Sequence, residues 1–238
     1  MRIGSSLLLV DGYCYQSYGW KKLRPLGSLQ NIINSLEAYQ CDEISIIRPV
    51  RENDSIKAFK KDLAIIQKLN CMTPISFGGG IKNIEMVDLL HNLPVERLIF
   101  SSAFIAGNYK PIEYAIELYG HQAIQCAIPL GILNGELKVF HSNSNVYTSI
   151  DAIDFNMIEK LSNEIILIDI DNEGCNDKFN KRMLDFIDID YNRLVISGGI
   201  GKAAIKFAYN NNIASVMIDN RVLHNEYSIK GYKNYGRV

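Results

Sequence analysis

The chain is poor in the residue patterns that build metal, redox and membrane sites. Its five cysteines (Cys14, Cys41, Cys71, Cys126, Cys175) are scattered and form no C-x-x-C pair. No secretory leader stands at the N-terminus, so they read as reduced thiols in a cytoplasmic protein. The four histidines stand at no ligand spacing, so neither a metal nor another cofactor is expected. No apolar run is long enough to span a bilayer. Neither charge sign dominates: 25 Lys and Arg against 26 Asp and Glu leave a net charge of -1. That removes the electrostatic case for nucleic acid or a membrane surface as partner. No low-complexity linker divides the 238 residues, and at 47% hydrophobic they can bury one large core. A single domain over residues 1–238 is expected.

What is present is a phrase that occurs twice. Phe77-Gly78-Gly79-Gly80-Ile81-Lys82 recurs loosely as Ser197-Gly198-Gly199-Ile200-Gly201-Lys202, and the offset from Gly79 to Gly198 is 119 residues, half of 238. Each copy follows a short apolar run and precedes a helix-like stretch, which predicts a duplicated half with a glycine loop on a strand-to-helix turn. Such a loop exposes backbone N–H groups where a phosphate binds well. Two of them suggest a ligand with a phosphate at each end. For one loop alone, turn punctuation explains the glycines equally well; the pairing favours the phosphate reading.

Eight short β-rich runs alternate with amphipathic stretches: Ile3–Val10, Glu43–Arg48, Pro74–Phe77, Arg97–Ser101, Ala123–Ile128, Glu164–Ile170, Arg193–Ser197 and Ser215–Ile218. Most are near-continuous apolar runs, as expected of parallel strands covered on both faces. Helical spacing links Leu29, Ile32, Ile33 and Leu36; Ile56, Phe59, Leu63 and Ile66; Ile84, Val87, Leu90 and Leu93; Met183, Phe186 and Ile187; and Ala204, Phe207 and Ala208. Asp54 and Asn83 are the expected N-caps. The count and the half-repetition favour a (β/α)8 TIM barrel of two duplicated half-barrels over an open doubly wound sheet. After strand five, Ile132–Phe140 reads as a hairpin turning at Asn134-Gly135. After strand one, the aromatic stretch Asp11–Gly27, with Tyr13, Tyr15, Tyr18 and Trp20, reads either as a mobile lid or as packing on the barrel rim.

At this point the chain resembles the cyclase subunit of imidazole glycerol phosphate synthase, from histidine biosynthesis, nearly end to end. The resemblance is carried by Asp11-Gly12, Cys41-Asp42-Glu43, Gly78-Gly79-Gly80-Ile81, His121-Gln122-Ala123-Ile124, Asn134-Gly135-Glu136, Asp171-Asn172-Glu173-Gly174 and Ser197-Gly198-Gly199. It implies a barrel that receives ammonia from a separate glutaminase subunit through its core. It implies two catalytic aspartates, at the ends of strands one and five, and a substrate with two phosphates. The matching positions for those aspartates are Leu8 and Pro129, and strand two ends in Arg48-Pro49 rather than an aspartate. Leucine and proline transfer no proton, so imidazole formation by the family's route is not expected.

Other implied features are present. The family's ring of four charges at the bottom of the barrel, an ammonia gate, matches Arg2, Glu43, Arg97 and Glu164; each alone would read as a surface charge at a strand start. Glu96 would lie on the glutaminase-docking face. Phosphate-binding positions implied by the resemblance are Gly79, Gly80, Ser101, Ser102, Gly174, Gly198, Gly199, Asn220 and Arg221. Arg221 either clamps an anion or fills the site with its own charge, and Asp219 pairs with it in the second case. Asp171, Glu173 and Asp11 are the candidate acid–base residues, with turn-capping the alternative for Asp171. The chain ends early for the family, which predicts a short last helix from about residue 227 to 232 or a truncated terminus.

Three functions follow from this resemblance. One is an amidotransferase subunit like the offshoot found with glutaminase homologues in bacterial surface-polysaccharide clusters. In that offshoot the pair supplies ammonia for turning an N-acetyl sugar into an acetamidino sugar. The barrel delivers the ammonia and binds a phosphorylated or nucleotide-linked ligand, and the sugar-modifying step is open to a third protein. The second is a histidine-pathway cyclase with relocated acid–base groups. The third is a non-catalytic barrel that binds or activates a glutaminase.

Overall fold

The computed structural model describes residues 1–50, 54–219 and 229–236. In chain order the strands are β1 (Arg2–Val10), β2 (Tyr13–Tyr18), β3 (Lys22–Ser28), β4 (Ile44–Ile47), β5 (Ile75–Gly78), β6 (Arg97–Phe100), β7 (Ile124–Leu133), β8 (Glu136–His141), β9 (Val146–Ser149), β10 (Glu164–Asp169), β11 (Leu194–Ser197) and β12 (Ser215–Ile218). The helices are α1 (Leu29–Ala38), α2 (Ile56–Ile66), α3 (Ile84–Asp88), α4 (Ser102–Ile105), α5 (Lys110–Tyr119), α6 (Phe155–Leu161), α7 (Lys202–Asn210) and α8 (Ile229–Gly236). Strands β1, β4, β5, β6, β7, β10, β11 and β12 pair in parallel in that order, and β12 returns to β1. This is the closed (β/α)8 barrel, and its eight strands are those the apolar runs predict.

The pairing registers stack the inward residues in layers drawn from alternate strands. At the N-terminal end lie Glu43, Arg97, Glu164 and Ser215, with Arg2 beside them. Above them come Gly4, Ser76, Gln125 and Val195, then Ser45, Ile99, Ile166 and Met217. The fourth layer is small: Ser6, Gly78, Ala127 and Ser197. Small residues there leave room above. Gly4 has a packing reason, since a Cβ would sit 2.6 Å from the Met217 sulphur and 2.7 Å from Glu43 Cγ. The strands' outward residues pack under the helices. Phe77 meets Phe59 of α2 at 6.2 Å between ring centroids, and Leu29, Ile33 and Leu36 of α1 are buried. Burial keeps the Cys14 and Cys41 thiols protonated, pushed up to about 12.

Two antiparallel ribbons extend from the C-terminal mouth. The Asn134-Gly135 turn (φ 54° and 82°) joins β7 to β8, as predicted, and β9 adds a third strand. Asp11-Gly12 (φ 49° and 84°) makes the same kind of turn from β1 into β2, and β3 follows. Both turns need φ > 0 at both central residues. The aromatic stretch is therefore a ribbon docked on the mouth. The Gly19 amide donates to the Glu173 carbonyl at 3.0 Å, and Trp20 meets Phe140 edge-on at 5.8 Å. Asn83 caps α3 as expected, but the cap of α2 is Ser55, which accepts from the Ala58 amide. Asp54 is instead drawn into an ion pair with Arg48. The expected helix around 183–187 is a 3₁₀ segment, Lys181–Phe186. The last helix runs to Gly236, and the first two residues of its expected span lie outside the described residues.

Candidate functional site

Arg2, Arg97 and Glu164 open β1, β6 and β10, and Glu43 directly precedes β4, so the four meet at the N-terminal end of the barrel. Glu43 is fully buried. Its carboxylate accepts from Arg2 Nε at 3.1 Å and from Arg97 Nη1 at 2.8 Å, and Ser215 donates to its other oxygen. Arg2 also donates to Glu164, whose second oxygen accepts from Gln125 Nε2 at 2.8 Å. The charges alternate in sign, and Gln125 extends the chain by one member that the sequence does not announce. Arg2 keeps its proton more firmly than usual: burial works against the charge, and the two glutamates outweigh it. Glu96 lies nearby on the exposed surface, where its Oε2 accepts from the Ile75 amide at 2.5 Å.

The opposite end holds a pocket of about 1270 Å³ including its open mouth. Leu8, Ile47, Pro49, Val50, Ile99 and Pro129 make much of its wall apolar. Leu8 on β1 and Pro129 on β7, the positions where the resemblance puts aspartates, both line the pocket. Among the described residues, the charged side chains lining the pocket are Arg48, Lys82, Glu173 and Asp219. Arg48 is nearly buried. Its Nε bonds Asp62 at 2.7 Å, Nη2 bonds Asp54 at 2.9 Å, and its plane lies 5.0 Å from the Phe59 ring centroid. Two carboxylates already answer its charge, so Lys82 on the glycine loop is the exposed cation here.

The sequence-predicted residues divide at this point. Gly79, Gly80, Ser101 and Ser102 all line the pocket, on one wall. Glu173 lines another, and burial pushes its carboxyl up to about 7. The charge of Asp219 adds to that rise, while hydrogen bonds from Ser17, Trp20 and Gly19 oppose it. Asp171, two residues earlier, points away: it is exposed and accepts from the Tyr147 hydroxyl at 3.1 Å. Asp11 is exposed at its turn and pairs with Lys61 at 3.0 Å. Neither is among the pocket-lining residues. Gly174, Gly198 and Gly199 are not either. Asn220 and Arg221 lie outside the described residues.

Gly79 and Gly198 have matching structural duties. A Cβ on Gly79 (φ 95°) would sit 2.0 Å from the Arg48 carbonyl oxygen; one on Gly198 (φ 88°) would sit 2.1 Å from that of Asp169. In both half-barrels the turn after a strand lies directly on the end of the strand before it. Gly174 (φ 79°) likewise lets the β2–β3 ribbon approach, since a Cβ would meet the Ser17 carbonyl at 2.6 Å. The N-terminus of α7 is satisfied by Asp177, which accepts from the Ala203 and Ala204 amides at 2.9 and 3.2 Å.

A family model described as "Histidine biosynthesis protein" matches residues 2–228. The chain belongs to that family. It is 28% identical over 207 residues to the imidazole glycerol phosphate synthase subunit HisF of Sulfurisphaera tokodaii, covering 84% of this chain and 81% of the relative. It is 29% identical over 207 residues to a Leptospira interrogans protein named "Putative imidazole glycerol phosphate synthase subunit HisF", covering 84% and 80%. A Campylobacter jejuni relative, "Putative imidazole glycerol phosphate synthase subunit hisF2", is 25% identical with the same two shares, 84% and 80%. Among the described residues, no helix is long and apolar enough to cross a membrane. No group of three or more His, Cys, Asp or Glu among them could hold a metal ion.

Proposed function

We propose that this chain is the ammonia-accepting barrel of a glutamine-dependent amidotransferase, with a substrate other than that of the histidine-pathway cyclase. The observation that carries this reading is the pairing of an ion-bonded ring at one end with an apolar Leu8–Pro129 span at the other. The ring supports docking of a glutaminase at the N-terminal face, with Glu96 on the contact surface, and passage of ammonia between Arg2, Glu43, Arg97 and Glu164. Leu8 and Pro129 leave no proton-transfer group where the family's chemistry needs two. Glu173, with its carboxyl near neutrality, is the remaining pocket group suited to giving or taking a proton. Gly79, Gly80, Ser101, Ser102 and Lys82 suit a phosphate or other anionic end of the ligand. By resemblance to the polysaccharide-associated offshoot, the ligand is a phosphorylated or nucleotide-linked sugar, and the reaction is amidation.

The test combines the chain with a glutaminase of the same family partnership and follows amide-¹⁵N glutamine. Binding of the two proteins with stimulated glutamine hydrolysis is expected. Arg2→Ala and Glu164→Ala should still bind but release the label as free ammonia. Calorimetry with the bisphosphorylated ribonucleotide of the histidine pathway, followed by ammonium, should show no turnover to an imidazole. Imidazole formation would overturn the proposed substrate class, and unchanged coupling in both ring variants would overturn the gate.

A further inference from the structure

The two glycine loops are alike in sequence but differently equipped. Gly79 and Gly80 line the pocket with Lys82, Ser101 and Ser102. Lys82 pairs with no carboxylate among the described residues, and neither serine hydroxyl bonds the protein there. The carboxylate nearest Gly80, that of Asp54, is paired with Arg48. The second loop is covered from within. Asp177, after β10, holds the N-terminus of α7: both of its carboxylate oxygens accept from the Ala203 amide, at 2.9 and 3.0 Å, and one accepts from Ala204 at 3.2 Å. Gly201 admits it, since a Cβ there would stand 2.4 Å from Asp177 Cβ. The Lys178 and Phe179 amides close on the Gly199 carbonyl at 2.8 and 3.0 Å, and a Cβ on Gly199 would meet Asn172 at 3.0 Å. A second carboxyl belongs to the residue on which this loop rests. Asp169 is fully buried and accepts from the Asn172 side chain and the Asn180 amide at 2.8 and 2.9 Å.

A phosphate at a glycine loop needs open amides and no negative charge beside them. At α7 the amides are already taken, and by a carboxylate, which satisfies them and the helix dipole as a phosphate would. A phosphate entering there would have to displace Asp177 and then sit close to two carboxyls. The first loop has the opposite balance, a lysine and two hydroxyls. We propose that Asp177 is a built-in anion that closes the second glycine loop to a ligand phosphate, so that the pocket takes a ligand with one anionic group, seated against Gly80, Lys82, Ser101 and Ser102. The inference rests on the reading of that wall as the anionic end of the ligand. It narrows the ligand to one such as a sugar monophosphate, in place of the two-ended bisphosphate that the paired loops suggest in the sequence. Two halves that share a glycine phrase thus divide its uses: one copy faces a ligand, and the other is closed by the chain's own carboxylate.

The test follows the backbone amides of the full chain by ¹⁵N NMR as inorganic phosphate replaces chloride at constant ionic strength. The Gly80 and Lys82 amides should shift with phosphate, and those of Ala203 and Ala204 should not. In Asp177→Gly, Ala203 and Ala204 should respond as well, while Gly80 and Lys82 respond as in the parent. Calorimetry then compares ribulose 5-phosphate with ribulose 1,5-bisphosphate. In the parent the two should bind within about threefold of each other, whereas a ligand held at both ends would gain roughly 100-fold or more. In Asp177→Gly the bisphosphate should gain about tenfold over the monophosphate. A phosphate response of Ala203 or Ala204 in the parent would overturn the proposal. So would a bisphosphate preference of ~100-fold, which decides the question from the parent alone should the variant not fold. Ala203 and Ala204 indifferent to phosphate in a folded Asp177→Gly would overturn it too. No response at Gly80 or Lys82 would remove the anionic end and this inference with it, while the amidotransferase reading is judged separately by the fate of the glutamine label.

Discussion

Glu173→Gln is the perturbation that tests the pocket most directly, because it removes a titration and little else. The Glu173 carboxyl titrates near 7 in the folded chain, against an ordinary 4.5. A carboxyl raised in this way prefers its proton when folded. Its favourable contribution is whole below about pH 4.5 and is lost as pH rises through about 7, a swing of at most ~3 kcal/mol. Glutamine keeps the neutral shape at every pH and has no such loss. The variant should therefore match the parent near pH 4.5 and exceed it by about 1–3 kcal/mol at pH 8, the lower end if solvent at the mouth screens the group. For a chain of this length that is a rise in Tm of roughly 3–10 °C. Urea denaturation of both proteins across pH 4.5–8.5, in ammonium-free buffer, gives the difference directly. A difference that does not change with pH, or a parent that gains on the variant as pH rises, would refute the burial and the Asp219 interaction together.

Other outcomes follow from particular contacts. Gly79→Ala should cost more than 4 kcal/mol or prevent folding, because its Cβ would meet the Arg48 carbonyl at 2.0 Å. Gly135→Ala, with nothing within 4 Å at φ 82°, should cost only about 1 kcal/mol of backbone strain; thermal melts compare the two. Arg48→Met should destabilise by about 3–5 kcal/mol near neutrality by stranding Asp54 and Asp62, as urea denaturation would show. Asp11→Asn, at an exposed ion pair with Lys61, should change urea stability by less than about 0.5 kcal/mol.

The barrel was legible because its strands are buried on both faces and contain unbroken apolar runs, such as 165–168 and 194–196. The β2–β3 ribbon was not, since Tyr13–Tyr18 mixes aromatic and polar residues on both faces and carries no clean period. The charge ring needed the resemblance: no local rule brings residues 2, 43, 97 and 164 together, and the register does so only once the barrel closes. Gln125 and Ser215 join it silently, as ordinary polar residues in strands. Within Asp171-Asn172-Glu173, the loop geometry alone decides that the third residue faces inward and the first outward. Arg48 was conspicuous as a departure from the family, but its partners, Asp54 before α2 and Asp62 within it, have no spacing that marks them. In sequence the glycines resemble a phosphate cradle. Two of them, Gly79 and Gly198, are also required by the backbone crossing that the half-barrels share.

The ring is the harder feature to explain by stability alone. Taking Glu43 fully out of water costs several kcal/mol, and its pairing with Arg2 and Arg97 does little more than return that. Apolar residues of similar size would close the barrel end as well, as Ile99, Ile166 and Met217 do two layers above. The ring is also incompletely buried: the Arg2 and Arg97 side chains are 35% and 24% exposed, while Glu43 is 1% exposed. The arginines thus face the outside and the carboxylate faces the axis. An arrangement of this kind can open by swinging an arginine into solvent, where its charge is hydrated, without exposing the apolar cluster of Ile99, Ile166 and Met217 above. A plug of leucines could not open so cheaply. Under the proposed function, the passage would open from below, and the largely apolar third layer lies between the ring and the pocket at the mouth. Chemistry at the mouth could change, as Leu8 and Pro129 indicate, with the ring at the other end left as it is.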